Sequence, residues 1–346
     1  MTKMVSKLVG VAVLAASFAA GWVLLDYRSF VHTPLTVGPG GVTYVVTPGT
    51  PLSQLARGLA SRGIVRHPFY LVALGRLEGW SHRIQAGEYE IEPGTTPEQL
   101  LRMLVAGRVK QYSLTIVEGW TFRQLRAELR RSTVIAHTLK GLSDTAVMAR
   151  LGAPGQHAEG WFYPDTYRFP RGTTDVEFLR RAYEAMRQRL TAEWQDRAKN
   201  LPLKTPYQAL ILASIVEKET AVPKEREEVA GVFVRRLERG MRLQTDPTVI
   251  YGMGDKYNGD IRTRDLRTDT PYNTYTRAGL PPTPIAMPSG ASIHAALHPA
   301  AGKTLYFVAK GDGTHHFSVT LAEHNRAVVK YQLGGDARHH APRAAK

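Results

Sequence analysis

The segment Ile211-Leu-Ala-Ser-Ile-Val-Glu-Lys-Glu-Thr220 places the strongest constraint on how this chain can fold. It is a nearly unbroken apolar run that leads straight into two carboxylates. A stretch of this length with few turn formers, led in by Tyr207, reads as a buried helix that other elements must enclose. Carboxylates in the last turn of a buried helix are expensive unless they have partners or a task. At about 100° per residue, Glu217 and Glu219 point about 200° apart and cannot share one environment. Glu219 continues the face of Leu212, Ile215 and Val216, the more enclosed of the two. There it sits at the negative end of the helix dipole, and desolvation adds to the preference for the protonated form. Two readings follow: an acid usable near neutral pH, or a helix end with solvated charges.

The second apolar run is N-terminal. Lys3 and Lys7 precede Leu8 to Leu25, 18 residues without a charge, and Asp26, Tyr27 and Arg28 follow. That is just long enough to cross a bilayer core as a helix. The leading lysines favour a cytoplasmic N-terminus, with Arg28 pulling weakly the other way. A signal peptide cleaved among the small residues from Ala15 to Gly21 is the alternative. The apolar segment continues through Trp22, Val23, Leu24 and Leu25, which favours an uncleaved anchor. Both readings export everything after residue 28. The net charge of +15 therefore argues for anionic lipid or acidic wall material rather than nucleic acid. There are no cysteines, which excludes disulfides, thiolate metal sites and cysteine nucleophiles.

The 346 residues leave room for two domains. Residues 1–7 are read as the cytoplasmic N-terminus, 8–25 as the membrane helix, and 26–42, with Pro34, Gly38, Pro39, Gly40 and Gly41, as a linker. A weak repeat follows. Val45-Val-Thr-Pro-Gly-Thr-Pro-Leu-Ser-Gln-Leu55 is echoed by Ile91-Glu-Pro-Gly-Thr-Thr-Pro-Glu-Gln-Leu100 and by Ile116-Val-Glu-Gly-Trp-Thr-Phe-Arg-Gln-Leu125. Each copy reads as a strand, a glycine turn, a capping threonine (Thr50, Thr96, Thr121) and a helix opening on Gln-Leu. Residues 43–108 resemble a LysM-like module, a resemblance that implies binding to an N-acetylglucosamine backbone; a non-binding spacer is the alternative.

Residues 109–175 read as a connector, with the aromatic cluster Gly160-Trp-Phe-Tyr-Pro-Asp-Thr-Tyr167 as a sugar-stacking surface or a core plug. Helices are expected over Asp175–Arg197, Pro206–Thr220 and Lys224–Arg239. In the last of these, the acidic first turn (Glu225, Glu227, Glu228) and basic end (Arg235, Arg236, Arg239) are explained by the dipole alone. From Met241 the chain turns to short Pro-, Gly-, Tyr-, Asn- and Thr-rich segments. A stretch this long without regular structure is functional or disordered, and its aromatic and amide content argues against disorder. Leu305-Tyr-Phe-Val-Ala-Lys310 and His316-Phe-Ser-Val319 form a hairpin, and a helix from Leu321 to Leu333 closes the domain before a basic tail, 334–346.

His294 and His298 lie four apart, but no HExxH pattern or carboxylate cluster accompanies them in sequence, so no metal site is expected. There is no Gly-x-Ser-x-Gly elbow and no Gly-rich phosphate loop. What remains is carboxylate chemistry beside Tyr, Asn, Gln and Pro, which suits a neutral hydroxylated polymer.

Ala213-Ser-Ile-Val-Glu-Lys-Glu-Thr220, Leu243-Gln-Thr-Asp-Pro-Thr-Val-Ile-Tyr-Gly-Met253, Tyr272-Asn-Thr-Tyr275, Gly279-Leu-Pro-Pro282 and His298-Pro-Ala300 together resemble the endolytic murein transglycosylases of the YceG-like family. The resemblance runs from the anchor to about residue 333. It implies an α+β chain: an N-terminal transmembrane helix, a small LysM-like strand/helix module, and a larger, mostly helical catalytic domain at 176–333 with a β-hairpin and long irregular segments. It further implies a single-pass inner-membrane protein with a periplasmic catalytic domain. The implied partners are peptidoglycan glycan strands and peptidoglycan synthesis enzymes, with no cofactor. The implied reaction is non-hydrolytic cleavage that leaves 1,6-anhydro-N-acetylmuramic ends, with the catalytic glutamate falling on Glu219. Gln244, Asp246, Tyr251, Tyr272, Asn273 and Tyr275 are the candidates for the sugar groove. Glu217 is a structural group or an outer electrostatic neighbour of the bound sugar. A non-catalytic peptidoglycan-binding protein and a basic scaffold are the competing classes.

Overall fold

The computed structural model describes residues 2–333, so the basic tail lies outside the described residues. The chain is mixed α/β and about half helical, with an apolar N-terminal helix and small two-stranded sheets. It divides into two compact units, Met1–Tyr112 with Arg168–Gly172, and Ser113–Tyr167 with Thr173–Lys346.

The first unit opens with α1 (Thr2–His32). Its span Met4–His32 is long and apolar enough to cross a membrane, and large apolar side chains from Leu8 to Leu25 are exposed. The helix continues beyond Leu25 into the stretch read as a linker, because its last turns are docked. Tyr27 meets Tyr70 edge to face at 5.7 Å, Tyr70 donates to Asp26 Oδ2 at 2.9 Å, and Val31 is buried. Strand β1 (Val42–Val46), α2 (Leu52–Ser61), α3 (Pro68–Leu77) and β2 (Gly87–Ile91) follow, with β1 and β2 antiparallel and Tyr44 opposite Tyr89. Helix α4 (Pro97–Val105) packs Leu100, Leu101 and Leu104 into the same core as Leu55, Leu59, Leu71 and Ile91.

The repeated capping signal holds in two of its three copies. Thr96 and Thr121 accept from the backbone N–H of Gln99 and Gln124, whose side chains bond back in a capping box. Thr50 does not cap. It sits one residue after its glycine, where Thr96 and Thr121 sit two after theirs, so Pro51 occupies the capping position and Thr50 bonds Thr47 instead, at 2.7 Å.

Strand β3 (Gln111–Thr115) pairs with β4 (Thr166–Pro170). The second unit includes α5 (Phe122–Arg131), α6 (Asp144–Arg150), α7 (Asp175–Gln195), α8 (Pro206–Glu219) and α9 (Arg226–Glu238). Thr205 caps α8 and Pro206 opens it; Ala209 to Val216 are all buried. Its one polar interior residue, Ser214, donates to Ile211 O at 2.7 Å and accepts Ile285 N–H at 3.0 Å, so burial leaves it satisfied. The stretch from Met241 is more helical than its composition indicates: α10 (Asp246–Met253), α11 (Thr263–Arg267) and α12 (Gly290–Leu297) lie within it. Helix α12 is short and small-residue rich, with Ile293, Ala295, Ala296 and Leu297 buried and Ser289 capping it. Burial and the cap, rather than periodicity, make it a helix. Strands β5 (Tyr306–Ala309) and β6 (His315–Ser318) form the expected antiparallel hairpin, and α13 (Leu321–Gln332) follows.

Candidate active site

Glu219 is the last residue of α8, and the chain turns extended at Thr220. Its carboxylate opens onto a cleft of about 490 Å³ lined also by Gln244, Asp246, Tyr275, Arg236 and Tyr306. Glu219 is half-buried where it lines the cleft. Its hydrogen-bond partner among the described residues is the Thr245 hydroxyl, which donates to Oε1. Burial pushes the Glu219 carboxyl up to about 7; Asp246 adds to that rise through its charge, and the Thr245 bond opposes it. The group is therefore poised to hold and release a proton near neutrality.

Glu217, two residues earlier, faces different chemistry. Its Oε2 accepts the Ser289 N–H at 2.9 Å and the Ser289 hydroxyl at 2.6 Å, and Arg226 Nη2 lies 3.9 Å from Oε1. It is joined to the N-terminal end of α12, and it is not among the residues lining the Glu219 cleft.

The fold brings four of the sequence candidates together at the cleft: Glu219, Gln244, Asp246 and Tyr275. Tyr275 donates to Asp246 Oδ1 at 2.6 Å, and burial followed by that bond raises its phenol above the ordinary range. Gln244 has φ of +52°, a left-handed conformation uncommon for a residue with a side chain. Its Oε1 accepts from Arg236 at 3.2 Å. The other candidates have different surroundings. Tyr251 donates to Glu159 Oε2 at 3.0 Å and meets Tyr272 edge to face at 4.9 Å, while the Tyr272 hydroxyl bonds Thr283 at 2.8 Å. Asn273 is 1% exposed, and its amide N–H groups donate to the carbonyls of Asp265, Leu266 and Thr268. It also accepts Tyr275 N–H at 2.8 Å, so it shapes the loop that delivers Tyr275.

Four groups at or near the site were not singled out as site residues by sequence reasoning. Thr245 lies inside a recognised motif but gives no signal of its own. Arg236, read as a dipole charge, is 7% exposed and ties three segments together. It donates to Leu305 O at 2.7 Å, Leu243 O at 2.8 Å and Arg242 O at 3.1 Å, and its guanidinium lies 5.0 Å from the centre of the Tyr306 ring. Glu225, also read as a dipole charge, accepts from His315 N at 2.9 Å and bonds its Nδ1 at 2.7 Å. Glu159, the fourth group, is 4% exposed and accepts Phe122 N–H at 2.9 Å as well as the Tyr251 hydroxyl. Burial pushes it up to about 7. Gly160 follows it with φ of +83°, and a Cβ there would stand 2.5 Å from Pro284 Cβ, so this turn accepts only glycine.

Comparison with known proteins adds an independent line. The family model described as the YceG-like family matches residues 44–330. A Bacillus subtilis protein named endolytic murein transglycosylase is 31% identical over 300 residues, 82% of this chain and 82% of that protein. A Streptococcus pneumoniae protein of the same name is 26% identical over 94% of this chain, which spans only 64% of that relative's length. A crystal structure of a YceG-like protein from Listeria monocytogenes superposes with a TM-score of 0.52 at 27% identity, covering 84% of this chain and 99% of that one. This chain belongs to the YceG-like family.

Proposed function

We propose that this chain is an endolytic murein transglycosylase, a lyase that cleaves the MurNAc–GlcNAc bond of nascent glycan strands, leaves 1,6-anhydro-MurNAc ends and so terminates strand elongation. The single observation that carries the reading is Glu219: a half-buried carboxylate lining a cleft, its pKa pushed up to about 7, with a hydroxyl rather than a cation as its partner. Glu219 protonates the glycosidic oxygen as the bond to the muramic anomeric carbon breaks. The resulting carboxylate then takes the proton of the muramic C6 hydroxyl as that oxygen attacks the anomeric carbon. The proton gained in the second step replaces the one given in the first, so the enzyme is reset without water. Ordinary glycosidases need a second carboxyl as base or nucleophile; here the substrate's own hydroxyl does that work. Gln244, Asp246 and Tyr275 offer amide, carboxylate and phenol groups to sugar hydroxyls and acetamido groups along the cleft.

Helix α1 supports a single-pass anchor with the N-terminus in the cytoplasm and the rest of the chain on the periplasmic side of the inner membrane. The order β1–α2–α3–β2, with its strands antiparallel, supports reading residues 43–108 as a LysM-like glycan-binding module. Peptidoglycan synthesis enzymes, which extend the same strands, fit as neighbours in this reading.

A hydrolase is the second reading, because Asp246 places another carboxylate on the same cleft. Mass spectrometry of the product ends separates the two. Anhydro ends lost in Glu219→Gln are the expected result; reducing ends, heavier by one water, keep the enzyme but reject intramolecular attack. An unchanged anhydro yield from Glu219→Gln rejects the assignment of the acid. Protease accessibility of the second unit in intact spheroplasts checks the exported orientation.

A further inference from the structure

We infer that Glu193, His294 and His298 form a binding site for a divalent transition-metal ion of the zinc type, bridging α7 and α12. Each residue offers one ligand atom, and these atoms all lie within 4.8 Å of one another. Glu193 lies in the last turn of α7, while His294 and His298 sit four residues apart at the end of α12, a spacing that aligns two side chains on one helix face. Their rings stack with centroids 4.3 Å apart at 21°. His294 Nδ1 is 2.9 Å from Glu193 Oε2. His298 Nε2 is buried and has no hydrogen-bond partner among the described residues.

That last atom is what an ion pair between Glu193 and His294 leaves unexplained. A buried nitrogen without a partner is costly, and Asp196 Oδ2, 3.9 Å away, is too distant to bond it. A metal ion accounts for all three groups at once. It replaces the proton shared by His294 and Glu193 and gives His298 Nε2 a bond, releasing protons as it binds. Two imidazoles and one carboxylate select zinc, cobalt or nickel over magnesium or calcium, which prefer oxygen. In a tetrahedral zinc site the ligand atoms stand roughly 3.4 Å apart, so the observed spacing, within 4.8 Å, is that of a site slightly wider than its ion-bound form. Arg189 holds the other Glu193 oxygen at 2.8 Å, which orients the carboxylate and leaves Oε2 free to ligate. The fourth position is open to water or to Asp196, whose side chain is 86% exposed. None of the three ligands is among the residues lining the Glu219 cleft, so the site is a clamp between helices rather than part of the proposed sugar chemistry.

The sequence hid this site because Glu193 and His294 are 101 residues apart. The test uses the full chain in detergent, titrated with Co²⁺ alone and then competed with Zn²⁺. Wild type is expected to show the visible absorption of a low-coordinate cobalt site at one equivalent, displaced by zinc. Glu193→Gln and His298→Gln should each weaken binding at least tenfold, while replacing the tail residues His339 and His340 with alanine should leave it unchanged. Saturating Zn²⁺ should raise the unfolding midpoint of wild type and of Glu219→Gln by roughly 5 °C, and that of Glu193→Gln not at all. Absence of the cobalt spectrum in wild type, or equal affinity and equal stabilisation in Glu193→Gln, would overturn the proposal. Glu193→Gln keeps the shape of its side chain, so the comparison stands even if a histidine variant folds poorly.

Discussion

Glu217 and Glu219 stand two residues apart on one helix, yet one is surrounded by donors and the other is nearly deprived of them. Glu217 has a backbone N–H, a hydroxyl and a nearby guanidinium, all fixed by the start of α12 and by Arg226. Glu219 has one hydroxyl and a carboxylate neighbour, Asp246. Helical geometry makes this separation possible by turning the two side chains to opposite sides. The same backbone thus carries an anchor on one face and a proton carrier on the other. Glu159 provides a control: it is as strongly shifted as Glu219 but is enclosed against Phe122 and Tyr251 instead of lining the cleft. A raised pKa marks burial, and only burial beside a cleft marks a candidate acid.

The comparison breaks most visibly if the wrong glutamate carries the reaction. Glu219→Gln should lower strand cleavage by about 10²–10⁴-fold with the fold intact, measured as anhydro ends released per unit time. Glu217→Gln should retain the pH dependence of whatever activity remains. The next effect is on stability. Glu159 has its pKa raised from 4.5 to about 7, so its contribution to stability is complete below pH 4.5 and is lost as pH rises through 7. Glu159→Gln removes that loss. Relative to wild type it should gain on the order of 3 kcal/mol between pH 4.5 and pH 8, read from denaturant unfolding at the two pH values. An equal pH dependence in both proteins would mean that Glu159 is ionised in the fold. Glu217→Gln should act in the opposite sense, costing about 2 kcal/mol near neutral pH, because it weakens charged bonds to Ser289 and leaves Arg226 without its anion.

Much of this contrast was legible before the fold was known, and the reasons are local. The buried helix and its two-sided end follow from apolar run length and the angle per residue, while the choice of Glu219 comes from the family resemblance. Thr96 and Thr121 were readable as caps because capping chemistry lies within four residues. Thr50 failed because one residue of register separates a cap from a turn hydroxyl. The residues that complete the site were not readable. Thr245, Arg236 and Glu159 reach their partners across 26, 69 and 92 residues of sequence, and no local pattern encodes such distances. Asn273 reads from sequence as either a sugar-binding amide or scaffold, and the fold sets its amide on backbone groups of its own loop, since an amide in a loop serves either purpose equally well. Helix α12 escaped because its helicity comes from burial against its neighbours rather than from an amphipathic period.

The smallest effect is expected at the bond between Glu219 and Thr245. Thr245 is 2% exposed and donates to the carboxylate, which opposes the rise caused by burial. Thr245→Val keeps the shape and removes the hydroxyl. The charged form of Glu219 then loses its one donor among the described residues, so its pKa should climb further above 7 and the alkaline limb of the pH–rate profile should move up by about half a unit to one unit. Asp246→Asn should move the same limb downward, because it removes the negative neighbour that helps hold the proton. Opposite displacements from two residues on the same cleft are what a single titrating acid at Glu219 requires. If both variants left the limb in place while lowering the rate, Thr245 and Asp246 would be contacting sugar, and the proton would be coming from another group.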